Sequence, residues 1–177
     1  MMKTVHGILY SKEYKAKEKT QLLCEGLLSN VLQLHEFIEE IQTAKDSPKA
    51  TCIEALAHAS EQKPNILTEE ALILLIQTLS SKAPRIKWEC AKTIGLTISL
   101  YPDQLESAID QLVMNINHEG TVVRWSIAFA LGEIVKMNQP RTQHLVSLIE
   151  QQIEKEEKKS IQKIYHKALT EVTVKNK

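Results

Sequence analysis

Residues 86–98, IKWECAKTIGLTI, and residues 123–135, VRWSIAFALGEIV, are the stretches that decide the fold. Laid over each other, they match Trp88 to Trp125, Ala91 to Ala128 and Gly95 to Gly132, an offset of 37 residues. Self-similarity at a period of roughly 20–50 residues marks a repeat array, in which each unit buries its apolar face against its neighbours. The segments ahead of the pair obey the same offset. Leu72, Ile109 and Val146 align, followed by Leu75, Leu112 and Ile149, then by Leu79, Ile116 and Ile153.

A shift of 38 residues extends the series in both directions. Toward the N-terminus, Leu34, Phe37, Ile38 and Ile41 fall on Leu72, Leu75, Ile76 and Leu79, while Lys49, Cys52 and Leu56 fall on Lys87, Cys90 and Ile94. Toward the C-terminus, Ile161, Tyr165, Ala168 and Leu169 fall on Val123, Ile127, Ala130 and Leu131. The reading is one domain over 1–177 with four repeats, at about 28–65, 66–102, 103–139 and 140–174. One further helix, at about 8–26, caps the open end of the first repeat. Apolar spacings of three and four predict helices throughout, and no period-two stretch is long enough for a strand. Asp46-Ser47-Pro48, Lys63-Pro64-Asn65, Ala83-Pro84, Tyr101-Pro102-Asp103, Glu119-Gly120-Thr121 and Gln139-Pro140 punctuate the pattern. Pro84 suits a first helical turn, where a missing N–H costs nothing, and Pro102 and Pro140 close one repeat and open the next.

Composition agrees. With 43% hydrophobic and 25% charged residues the chain is an ordinary globular protein, and five glycines are too few for the turns of an all-β fold. Lys+Arg and Asp+Glu both number 22, which removes the general attraction to phosphate behind most nucleic-acid binding, although a local basic patch survives a neutral total. Cys24, Cys52 and Cys90 form no C-x-x-C pair and read as reduced thiols. No apolar run approaches the ~18–20 residues of a membrane span, and the N-terminus lacks a secretory h-region. A cytoplasmic location without membrane attachment is the expectation.

A helix pair repeating every 37 residues, whose second helix carries Val123-Arg124 followed by Ala128, Ala130, Leu131 and Gly132, resembles a HEAT repeat. Ile86-Lys87, Ala91, Ile94 and Gly95 give the conservative version. The resemblance covers about residues 28–174 and implies an all-α, right-handed α–α superhelix of about four helix pairs with an N-terminal capping helix. It also implies binding of another macromolecule on the concave surface formed by the second helices. Only Asp46 supplies the aspartate that the family places in the turn between paired helices. The related repeats of deoxyhypusine hydroxylase hold iron with a His-Glu pair directly after the Val-Arg, where this chain has Trp88-Glu89 and Trp125-Ser126. His35-Glu36 and His118-Glu119 have no second His four residues on, so the zinc spacing is missing too, and no metal or cofactor is expected.

Helical wheels at about 100° per residue put Cys90, Thr93, Ile94, Thr97 and Ile98 toward the core and turn Trp88, Lys92, Gly95 and Ser99 away. In the next repeat Val123, Ile127, Ala130, Leu131, Ile134 and Val135 face inward, and Trp125, Phe129, Gly132 and Lys136 outward. Stacked repeats bring the two indoles within about 10 Å, close enough for one patch. A partner-binding groove is therefore expected at Trp88, Lys92, Trp125, Phe129 and Lys136, flanked by Lys163 and Lys167. Inter-repeat packing of both indoles is the competing reading, and Gly95 and Gly132 serve either close helix approach or an open groove. Lys87 and Arg124 are expected to pair with turn carboxylates or carbonyls, EKEEKK at 154–159 to be a solvated junction, and Cys52 and Cys90 to be buried apolar groups.

These observations predict a non-catalytic scaffold for a protein or peptide partner, since no phosphate loop, nucleophile elbow or metal cluster is present. Two alternatives rest on other HEAT-like families. One is nucleic-acid binding of the kind the DNA-alkylation-repair glycosylases perform, disfavoured by the neutral charge. The other is an accessory role in prosthetic-group attachment, as in the bilin lyases. The sequence leaves the oligomeric state open.

Overall fold

A computed structural model describes residues 3–177. Ten α-helices occur among them, with short 3-10 turns and no strands. They are α1 (Val5–Tyr10), α2 (Ala16–Leu28), α3 (Leu34–Thr43), α4 (Asp46–Gln62), α5 (Glu69–Thr78), α6 (Pro84–Thr97), α7 (Leu105–Met114), α8 (Thr121–Lys136), α9 (His144–Lys155) and α10 (Lys159–Lys175). The architecture is a stack of antiparallel helix pairs, an armadillo/HEAT-type α-solenoid.

Local chemistry sets the helix ends. Thr68 caps α5 by accepting from the Ala71 N–H at 3.3 Å, and the Glu36 carboxylate closes the start of α3 by accepting from the Gln33 N–H at 2.9 Å. Pro84 opens α6 from within its first turn, as its missing N–H allows. Pro64, Pro102 and Pro140 each begin a 3-10 turn between pairs.

The N-terminus differs from its expected form. Residues 8–26 were expected to be one helix, but the chain breaks between Tyr10 and Ala16, so the cap is two helices. Ser11 is extended, and Glu18 reaches back to accept from the Lys15 N–H at 2.7 Å, starting a new helix. Helix α2 stacks on α4 as α4 stacks on α6. Short α1 occupies the first-helix position, with Val5, Ile8 and Leu9 buried. Helices α1 and α2 thus form a shortened pair.

The five second helices, α2, α4, α6, α8 and α10, pack on each other along the whole stack, whereas successive first helices touch sparingly. The layer with the closer spacing is the inner side of a curved array. Small side chains permit that spacing: Ala57, Gly95 and Gly132 occupy equivalent positions in α4, α6 and α8, and all are buried. A Cβ on Gly95 would lie 2.7 Å from Phe129 Cε1 and 3.0 Å from Ala130 Cα, and one on Gly132 would lie 3.3 Å from Ala168 Cβ. Both glycines therefore serve close helix approach. Neither faces outward as the wheels expected.

Candidate partner-binding groove

The inner layer exposes an apolar patch centred on α8. Trp125 is 42% exposed and Val122, one turn earlier, is 50% exposed. Phe129, one turn later, stacks on Trp125 with ring centroids 6.2 Å apart and planes 14° from parallel. Positions three and four apart share one helix face, so the spacing 122, 125, 129 builds the patch directly. One edge of the Phe129 ring sinks into the α6–α8 seam, where Gly95 leaves room for it.

The two recurring tryptophans are not equivalent. Trp88 is partly buried against the core, and its indole N–H donates to Glu89 Oε1 at 2.9 Å. Among the described residues the aromatic ring stacked on Trp125 is that of Phe129, and not that of Trp88.

The flanking lysines also divide. Lys92 is held by Glu61 at 2.7 Å. Lys136 is held by Glu133 and by Glu171 at 3.6 Å. Lys163 and Lys167 are exposed on α10, and no carboxylate lies within ion-pairing distance of either among the described residues. Since α10 packs beside α8, and 163 and 167 are the repeat equivalents of 125 and 129, the lysine pair continues the aromatic pair laterally. Between the helices lies a hollow of about 190 Å³, lined by Phe129, Gly132, Glu133, Lys136, Ile164, Lys167 and Ala168.

At the other end of the layer a polar cleft of about 570 Å³ opens over α2 and α4, lined by Thr20, Gln21, Cys24, Glu54, His58 and Arg85 among others. Sequence reasoning did not single these residues out. Glu54 is the hub: it accepts from Arg85 at 2.7 Å and from Thr20 at 3.2 Å, and His58 Nε2 lies 4.0 Å away. One signal was available, because Glu54, Lys92, Phe129 and Lys167 occupy one repeated position.

Beside Glu54, Glu89 is buried. Burial pushes its carboxyl above the ordinary range, against the lowering effect of the Trp88 N–H, and the negative charge of Glu54 pushes the same way as burial. A carboxyl raised in the folded state destabilises the fold as pH rises past its unfolded value, because ionisation is then costlier in the native protein. Glu89→Gln keeps an acceptor for Trp88 and removes the charge. Its melting temperature should exceed wild type by roughly 2–4 °C at pH 7 and by little at pH 4, read by circular dichroism. An equal gain at both pH values would contradict this origin.

Deeper in the stack the basic residues act as the repeat pattern implied. Lys87 is buried and donates to the Leu79 carbonyl at 2.8 Å and to Asn115 Oδ1. Arg124 donates to Glu156 Oε2 at 2.9 Å and Oε1 at 3.3 Å, and to the carbonyls of His118 at 2.9 Å and Glu119 at 3.0 Å. Glu156 is therefore buried, which corrects the reading of 154–159 as wholly solvated. Cys52 and Cys90 are buried, and burial pushes both thiols well above their ordinary value, so they pack as apolar groups. No three His, Cys, Asp or Glu side chains among the described residues are grouped to hold a metal. No helix there is long and apolar enough to cross a membrane.

No family model matches the chain, and no curated protein matches it in sequence. Solved structures share its fold. A designed armadillo repeat protein in complex with peptide (KR)4 superposes with a TM-score of 0.71 at 12% identity, over 94% of this chain and 79% of that one. The complex of CpcE and CpcF of phycocyanin lyase from Nostoc sp. PCC7120 gives a TM-score of 0.70 at 16% identity, over 93% and 97%. An engineered protein gives 0.70 at 14% identity, where 96% of this chain spans 46% of the other. At such identities the likeness is one of fold: an armadillo/HEAT-like solenoid.

Proposed function

We propose that this solenoid is a non-catalytic, cytoplasmic scaffold that binds a protein or peptide partner along its inner face, with Trp125 and Phe129 as the anchor. The carrying observation is the patch of exposed Val122 and Trp125 with half-buried Phe129 on the concave layer, since a solvated helix face favours charge and aromatic anchors dominate binding energies. Trp88 and Lys92 contribute to the wall of the groove. The neighbours add that this fold accommodates a peptide in one protein and a partner chain in another.

Trp125→Ala tests the reading better than any change at Trp88, because Trp125 is exposed and its truncation leaves the core intact. The variant should melt within a few degrees of wild type and lose at least roughly 30-fold in affinity for a captured partner, the loss of a ~2 kcal/mol hot spot. If the folded variant keeps every partner at wild-type affinity, the groove is not the binding site. Duplex DNA at low salt should show no measurable binding, consistent with zero net charge.

The phycocyanin lyase complex favours a second reading, because almost the whole of both chains superposes. On that reading the chain assists prosthetic-group attachment together with another solenoid. Titration with a linear tetrapyrrole should then shift the pigment's absorbance, and an unshifted spectrum removes the proposal.

A further inference from the structure

The partner's chemistry can be narrowed from the α8–α10 end of the groove, on the reading that this groove binds a polypeptide. From the lysine pair and the hollow beside it, we infer that the groove takes an acidic linear segment in which an aliphatic side chain lies next to a carboxylate. Three observations carry this. The hollow of about 190 Å³ is smaller than the ~300 Å³ at which small-molecule sites usually begin, and its size suits one side chain. Phe129, Ile164 and Ala168, with no side chain at Gly132, form its apolar part, which selects an aliphatic group, and Glu133, Lys136 and Lys167 complete the lining.

The third observation is charge. The other two groove lysines already have carboxylates: Glu61 for Lys92, and Glu133 with Glu171 for Lys136, which lines the hollow itself. Lys163 and Lys167 have none among the described residues, and they stand one helical turn apart beside the stacked Trp125 and Phe129. Two adjacent cations against a low-dielectric aromatic surface attract a carboxylate and repel a basic segment. An apolar anchor in the hollow brings the flanking backbone across α10, where an Asp or Glu within a few residues reaches both lysines.

The test uses a fluorescein-labelled peptide with one leucine flanked by aspartates in a Gly-Ser background, read by fluorescence polarisation against the full chain. Replacing the leucine by serine, or the aspartates by lysine, should each weaken binding at least roughly tenfold, and added salt should weaken the acidic peptide. Lys163→Glu combined with Lys167→Glu changes only exposed positions and should invert the preference toward the lysine peptide. Trp125→Ala should weaken both peptides. Equal binding of acidic and basic peptides, abolished by Trp125→Ala, overturns the inference while the groove reading stands. Absence of binding to either peptide also overturns it, and the groove reading is judged separately by Trp125→Ala with captured partners. A duplex oligonucleotide that outcompetes the acidic peptide, and fails to do so in the double variant, overturns the inference in favour of nucleic acid.

Discussion

Arg124→Met should cost about 3–5 kcal/mol of stability, the penalty for leaving a buried charge without its partner. Glu156 receives both guanidinium bonds from a residue 32 positions earlier, and its side chain is 2% exposed. Methionine fills similar space but donates nothing, so the carboxylate loses its counter-ion and the carbonyls of His118 and Glu119 lose a donor. The carbonyls lie in a turn that water can reach. The carboxylate cannot be solvated in place, and it must take up a proton or open the α9–α10 junction. Urea midpoints at constant m-value measure the loss.

Two further results separate this origin from lost packing. Arg124→Met combined with Glu156→Leu should recover most of the deficit, since replacing a whole buried pair by apolar groups is often close to neutral. The second is pH dependence. Burial pushes the Glu156 carboxyl up, but the Arg124 hydrogen bond and the Lys158 N–H outweigh it and hold the carboxyl below its ordinary range. A carboxyl depressed in the native state contributes stability that is fully present above its unfolded value of about 4.3 and is lost as pH falls through the folded one. The advantage of wild type over Arg124→Met should shrink below about pH 4. A deficit that stays constant from pH 7 to pH 3 would assign the effect to packing.

The repeat period, the helix pairs and the aromatic position on the second helix were legible in sequence, because they depend on periodicity that local spacing records. Elsewhere the reading failed for a common reason: a wheel drawn for one helix sees only one partner. In the middle of this stack a second helix is packed on three sides, by its own first helix and by the second helices before and after it. The open face is thus narrower than half a turn. Gly95 and Gly132 fell on the outward half of the wheel yet lie in the lateral seams. Trp88 and Trp125 share one repeat position, yet Trp88 is partly buried against the core while Trp125 is exposed. Glu156 looked solvated because the local run alternates in sign, whereas its partner Arg124 belongs to the preceding repeat. The Glu54 cleft was missed because its residues come from α2, α4 and α6, no two of which are adjacent in sequence.

The lateral seams make a second large effect. Gly95→Val should destabilise by about 3 kcal/mol, at the upper end of the usual cost of overpacking. Valine gains little helix propensity over glycine, so nothing offsets the clash. The first added carbon would already lie 2.7 Å from Phe129 Cε1 and 3.0 Å from Ala130 Cα. A ring can turn aside, but the Ala130 backbone moves only if α8 moves. Gly95→Ala should therefore sit between wild type and Gly95→Val, with about 1 kcal/mol of helix propensity returned. Phe129→Ala in the Gly95→Ala background should relieve only the ring contact. Gly132→Ala is the control: its Cβ would meet only Ala168 Cβ at 3.3 Å, with Ile164 Cγ2 at 4.0 Å, so the neighbour gives way by a few tenths of an ångström and stability should stay near wild type. Chemical denaturation of the four variants checks the order. Equal losses at Gly95 and Gly132 would mean that the α6–α8 approach is no tighter in solution than the α8–α10 approach. The consequence reaches the groove, because Phe129 is both the group that Gly95 accommodates and the ring on which Trp125 stacks. A side chain at 95 that expels Phe129 from the seam should weaken partner binding without touching an exposed residue, which ties the glycine that sets the helix spacing to the aromatic pair proposed to hold the partner.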